Sequence, residues 1–200
     1  MIEMKFLESI RVSKRIFENL GLHQNRVKKV FEAYFPTLPV IDLFSIQIPS
    51  DLDNGLYKCR VIYTQKIEQV EFVPHQIKSI HSLCLVEGNH IDYSHKLAQR
   101  DALQALYQRR KSAEDVLIVR DGLITDTSYG NIAFWDGQQW FTPHPPLLEG
   151  TQRSKLIKSE IIFSKEIKVT DLSNFYKFKI FNALRVWEEV EEISIENIFE

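Results

Sequence analysis

Cysteine is scarce: the 200 residues contain two, Cys59 and Cys84. Each stands inside an apolar, strand-like run, so the pair reads as buried free thiols rather than a disulfide framework. Basic charge is not in excess either. Twenty-five Lys and Arg face 27 Asp and Glu, for a net charge of −2 and a pI near 6.3. That balance leaves no electrostatic footprint for nucleic acid and no polybasic segment for a membrane surface. The one run of three basic residues, Arg109-Arg110-Lys111, closes a helical pattern, where it complements the helix dipole. No apolar stretch approaches the length of a membrane span. The six histidines show no metal-ligand spacing, so no metal is expected. Met1 to Lys5 leads directly into a folded pattern without a leader, and a cytoplasmic protein is the expectation.

What is present is enough for a core. The hydrophobic fraction is 44% and the aromatic fraction 12%, which suits one domain or two small lobes. Phe6 to Val12 alternates as a strand, with Lys14 to Phe17 returning as its hairpin partner. His23 to Phe35 is helical, with Val27, Val30, Phe31 and Tyr34 on one face, and Pro36 stops it. Ile41 to Ile48 reads as a helix or a mixed turn. Leu56 to Tyr63, Val70 to Pro74 and Ser79 to Val86 are β-segments of an antiparallel sheet carrying that one helix. Glu87-Gly88-Asn89-His90 is the expected linker, dividing a small lobe, 1–88, from a larger one, 89–200. In the larger lobe Lys96 to Arg110 reads as a helix with Ser94 as its cap. Hairpins are expected around Asp121-Gly122 and Asp136-Gly137. A helix over Thr151 to Ser159, a strand over Ile161 to Val169, a short helix over Asp171 to Tyr176 and a strand over Phe178 to Leu184 follow. The fold class is α+β.

Several residues could carry chemistry, each with an ordinary alternative. Gly150-Thr151-Gln152 opens a helix, whose free N–H groups and partial positive charge bind an anion or simply need capping. Asp126 lies between strand-like segments, as a functional carboxylate or as one that accepts turn N–H groups. Lys96, at the start of the expected helix, is a depressed-pKa nucleophile or an exposed lysine, with Arg100 one turn on. Arg26 presents a fork suited to phosphate, or is solvated. Asn182, ending an apolar strand, orients a ligand or caps the strand end.

Together these fragments resemble the class IV aminotransferases, the pyridoxal-phosphate enzymes of fold type IV. That family includes branched-chain aminotransferase, D-amino-acid transaminase and 4-amino-4-deoxychorismate lyase. Glu8-Ser9-Ile10-Arg11 is similar to its Glu-x-Ile-Arg strand and His23-Gln24-Asn25-Arg26 to its His-x-x-Arg helix. Thr125-Asp126 with Asn131, Thr142-Pro143 and Gly150-Thr151-Gln152-Arg153 follow in the family's order. Lys96 with Arg100, and Phe181-Asn182-Ala183-Leu184, are closest to the lyase.

The resemblance implies a small antiparallel lobe with a helix and a larger β-barrel-like, cofactor-binding lobe. It implies pyridoxal 5′-phosphate on Lys96, which also serves as general base, with Asp126 at the ring nitrogen. Arg26, Arg100, Gly150, Thr151, Gln152, Asn182 and Ala183 complete the implied cofactor set. Arg11, Arg60 and Arg185 are candidates for substrate carboxylates or for ordinary pairing. The implied reaction is formation of p-aminobenzoate and pyruvate, a step of folate biosynthesis, or amino-acid transamination. A non-catalytic cofactor-binding relative is the third reading. A homodimer is also implied. Three departures stand out: the strands before Glu8 are missing, so the small lobe is trimmed; Asp126 replaces the usual glutamate; and Glu8-Ser9 replaces the lyase's paired threonines, leaving Ser9 as the hydroxyl.

Overall fold

A computed structural model describes residues 4–200. Met1 to Glu3, part of the stretch on which the reading of a leaderless start rests, lie outside the described residues. The chain divides into two compact units. The first runs to Ile77 and takes back His95–Gln99; the second comprises Lys78–Ser94 and Arg100–Glu200.

In the first unit β1 (Phe6–Ser13) turns into β2 (Ile16–Phe17), and α1 (Leu20–Tyr34) follows. β3 (Leu56–Tyr63) and β4 (Ile67–Pro74) complete an antiparallel sheet of order β2-β1-β3-β4. The expected hairpin is present, with Val12 opposite Phe17. α1 begins at Leu20, ahead of the expected His23. Gly21 is accommodated in its first turn, and Asn19 precedes it in a left-handed conformation that asparagine tolerates. It ends before Pro36, which disfavours helical backbone at Phe35. Period-two alternation sends Phe6, Ile10 and Val12 toward Val27, Val30 and Phe31 of α1, where all six are buried. Each such side chain contributes roughly 1.5–3 kcal/mol. Ile41 to Ile48 is irregular except for a single 3-10 turn, Leu43–Ser45.

The second unit contains β5 (Leu83–Glu87), α2 (Asp101–Tyr107), β6 (Asp115–Arg120), β7 (Leu123–Thr127), β8 (Asn131–Trp135), β9 (Trp140–Pro143), α3 (Thr151–Lys158), β10 (Ile162–Lys165), β11 (Lys177–Phe181), β12 (Ile193–Ser194) and β13 (Ile198–Phe199). They form two sheets, β13-β5-β6-β7 and β10-β9-β8-β11-β12, and no closed barrel among the described residues. Asp121 and Gly122 both take positive φ, as a tight hairpin between β6 and β7 requires. Trp135 and Trp140 meet across the β8–β9 hairpin, with ring centroids 5.4 Å apart and planes tilted by 47°.

Other expected elements differ, among them the short helix expected over Asp171 to Tyr176, which is a 3-10 segment over Val169–Asn174. β5 does not join the small sheet; it runs parallel to β6. The strand expected over Ile161 to Val169 is only β10, because β9 offers four residues of parallel pairing. The helix expected from Lys96 starts at Asp101. Leu97, inside the span expected to be helical, instead bridges to Phe6. Cys59 and Cys84 are buried free thiols, and burial pushes Cys59 up to about 12.

Candidate active site

The first unit holds Lys96 by its backbone. Leu7 N–H donates to the Lys96 carbonyl at 2.9 Å, and Ala98 N–H to the Lys5 carbonyl at 2.9 Å. With Phe6 opposite Leu97, this antiparallel register sets Lys96 opposite Leu7. Paired residues share a sheet face, so Lys96 joins the face bearing Leu7, Ser9 and Arg11. Ser9 lies opposite Arg60 and Arg11 opposite Lys58. The expected catalytic pair, Lys96 and Ser9, and two of the expected carboxylate-binding arginines therefore occupy one face. Lys96 is not at a helix start, so the dipole argument for its reactivity does not apply.

The arginines of that face already have acidic partners. Arg11 Nε donates to Glu18 at 2.9 Å, and Arg60 Nη1 to Glu71 at 3.1 Å. On the opposite face Glu8 is fully buried against α1. Arg26 grips it with Nε at 2.8 Å and with Nη2, and His23 Nδ1 lies 2.5 Å from Oε2. Burial alone would raise the Glu8 carboxyl, yet Arg26 and His23 hold it down at about 2. Burial lowers His23, against the pull of Glu8. Two nitrogens of Arg26, the arginine expected on a phosphate, are thus on Glu8. The spacing of His23 and Arg26, one turn apart on one helix face, was the signal for this acid.

In the second unit Asp126 sits on β7, 4% exposed. Asn131 Nδ2 donates to its Oδ1 at 2.8 Å, and Leu148 N–H to its Oδ2 at 2.8 Å. Burial raises its pKa to about 6, against those two donors and the more distant charge of Arg153. Asn131 also donates to the Leu148 carbonyl at 2.9 Å and packs its amide oxygen on Gly150. Gly150 is therefore required by Asn131, whatever else approaches it. α3 starts at Thr151 without a side-chain cap. Gln152 is fully buried there, with both amide atoms unpartnered. Arg153 Nη2 donates to the Pro143 carbonyl at 2.9 Å, joining α3 to the end of β9.

Asn182 takes the capping alternative. Its Oδ1 accepts Leu184 N–H at 2.8 Å and Arg185 N–H at 3.0 Å, and its Nδ2 donates to the Tyr129 carbonyl at 3.1 Å. Its amide is used in closing the turn that contains Ala183. Arg100 lies just ahead of α2 rather than one helical turn from Lys96, and donates Nη2 to the Ser128 carbonyl. The carbonyl-rich turn at Ser128 to Gly130 is thus clasped from both sides. Sequence reasoning missed Leu148, whose backbone contacts to Asp126 and Asn131 carry no local pattern.

The family model for amino-transferase class IV matches residues 60–193. The chain belongs to that family. An uncharacterised protein of Haemophilus influenzae is 33% identical over 180 residues, 88% of this chain and 96% of its own. A provisionally assigned 4-amino-4-deoxychorismate lyase from Haemophilus somnus superposes with TM-score 0.82 at 30% identity, over 93% of this chain and 99% of that one. A hypothetical aminotransferase from Mycobacterium tuberculosis, solved with PLP bound, superposes at 0.74 with 16% identity, over 94% and 80%. This class IV aminotransferase family member is an enzyme with the α+β architecture of fold type IV. No helix among the described residues is long and apolar enough to cross a membrane.

Proposed function

We propose that this chain is a pyridoxal-phosphate enzyme that cleaves 4-amino-4-deoxychorismate to p-aminobenzoate and pyruvate. The observation that carries the reading is the 30% identity to the provisionally assigned lyase over nearly all of that chain. The Lys96–Arg100 spacing supports it. The second reading, amino-acid transamination, is supported by the aminotransferase from Mycobacterium tuberculosis that shares the fold.

The residues fit the cofactor on two counts. Asp126 is a buried carboxylate whose hydrogen-bond donors are neutral, and a protonated ring nitrogen supplies the cation that favours its charged form. Gln152 leaves its buried amide Nε2 unpartnered at an uncapped helix start, a donor suited to a phosphate oxygen. Lys96 would carry the cofactor, Thr151 and Gln152 would hold its phosphate, and Asn131 would keep Asp126 in place. When bound, the cofactor supplies an electron sink for a carbanion. Lys96 would also serve as the general base at the adjacent C–H. Ser9, on the same sheet face, offers a hydroxyl to hold or return a proton. Arg26, held by Glu8 through Nε and Nη2, would add its charge at the phosphate. The same reading carries a homodimer in the cytoplasm, serving folate biosynthesis.

The purified protein is expected to be yellow, with borohydride fixing the cofactor on Lys96. Aminodeoxychorismate is then supplied and p-aminobenzoate measured. Absence of that product, with turnover of an amino acid and a keto acid, would select transamination. A colourless protein that takes up no pyridoxal phosphate would sink both.

A further inference from the structure

Two guanidinium groups of the second unit lie at the turn joining β7 to β8, with donors that no described residue accepts. Arg185 is 3% exposed, and its Nε and Nη1 are buried without a hydrogen-bond partner. It makes no ion pair among the described residues. Arg100 gives Nη2 to the Ser128 carbonyl, while its Nε is likewise buried and unpartnered. The turn holds both. Asn182 joins the Tyr129 carbonyl at 3.1 Å to the Arg185 N–H at 3.0 Å, and Ser128, Tyr129's neighbour, receives Arg100. Gly130 closes the turn tightly: a β-carbon there would stand 2.6 Å from the Phe181 carbonyl. Both arginines act electrostatically on the Tyr129 hydroxyl.

Buried charged donors without acceptors are costly and uncommon in native folds. The acids nearby do not relieve them. Asp115 is buried and spends Oδ1 on Val116 N–H at 2.8 Å, with Oδ2 unpartnered; Glu191 acts on Arg185 only at a distance. A carboxylate brings a negative charge for the two guanidinium groups and acceptor lone pairs for the three idle nitrogens. Tyr129, an aromatic residue left 41% exposed at the same turn, offers a ring face to a planar ligand.

We propose that Arg185 and Arg100, with Tyr129, form a binding site for the carboxylate of an aromatic ligand. This deepens the lyase reading and rests on it for the choice of probe, p-aminobenzoate. Calorimetric titration of the cofactor-loaded enzyme would compare p-aminobenzoate with p-aminobenzamide, its neutral isostere. The carboxylate is expected to bind about tenfold tighter or more, and Arg185→Gln to erase that preference. Equal or undetectable binding of both probes to the wild type would overturn the site, since water alone would then satisfy the donors. So would a folded Arg185→Gln variant that keeps the preference. Should near-UV circular dichroism find that variant unfolded, Arg100→Gln replaces it, and an unchanged preference there is equally fatal. Turnover of aminodeoxychorismate is measured separately. Loss of turnover with the preference intact fails the lyase reading alone; turnover without the preference fails the site alone.

Discussion

Asn131 presses its amide oxygen against Gly150, so that a β-carbon on residue 150 would stand 2.0 Å from it. The same amide donates to Asp126 at 2.8 Å. Glycine at this position therefore governs where the buried carboxylate sits. Gly150→Ala is expected to cost about 1–3 kcal/mol by overpacking and to weaken cofactor binding. Gly21→Ala is the matched control: nothing lies within 4 Å of its added methyl and the site is in α1, so a gain of up to about 1 kcal/mol is expected. Urea denaturation of both variants, with cofactor titration, checks the pair. A neutral Gly150→Ala would remove the steric account.

The Asp126 carboxyl makes cofactor binding depend on pH. Its ordinary value of 3.8 rises to about 6 in the fold, so the folded chain favours the protonated form. That stabilisation is full below the unfolded value and is lost as pH rises through the folded one. Above it the buried charge opposes folding by about 3 kcal/mol, at about 1.4 per unit. A cation at Asp126 lifts the opposition. Pyridoxal phosphate is expected to raise the Tm of cofactor-free protein more near about pH 7.5 than near about pH 5. Asp126→Asn should abolish the difference. The same shift at both values in the wild type would separate Asp126 from the cofactor.

Glu8 has the opposite sign. Its carboxyl falls from 4.5 to about 2, so its contribution is present above 4.5 and lost as pH drops through about 2. Arg26→Gln leaves that buried charge short of its main cation and is expected to cost about 3–5 kcal/mol at neutral pH. The gap from the wild type should narrow as pH falls below 4.5. Chemical denaturation across that range is the measurement, and a variant of unchanged stability would argue that Glu8 is held by His23 alone.

Lys96→Ala should separate chemistry from structure. The backbone, not the side chain, pairs residue 96 with β1 through Leu7. The variant is expected to fold. Turnover should fall by at least about 10²–10⁴-fold, and borohydride labelling should vanish. A variant that loses its fold would show that the side chain also serves the edge of the sheet.

Local patterns made much of this legible. Asp121-Gly122 announces its hairpin by turn chemistry, and Val27, Val30 and Phe31 announce the buried face of α1. The fragments around Asp126 and Gly150 pointed to a carboxylate and a helix start, and both are present, held together by Asn131. What failed was long-range. Leu97 fits a helical period with Leu103 and Leu106, yet its pairing with Phe6, 91 positions earlier in sequence, overrides it. Asn182 read as ligand or cap; its bond to the Tyr129 carbonyl, 53 positions away, is not visible in the sequence. The unpartnered nitrogens of Arg185 have no sequence signature, because burial depends on what the fold brings over them.

His95–Gln99 has a consequence for how this enzyme can be divided. Lys96 belongs to the first unit in space but lies within the second unit's span of sequence. A gene cut near residue 88 would separate the small sheet from the segment that covers part of β1. The two units are therefore not modular. Recombination that exchanged the small sheet between relatives would import one lineage's β1 and retain the other's lysine segment, so the pairing of Leu7 with Lys96 must be inherited as a unit even though it is encoded in two places.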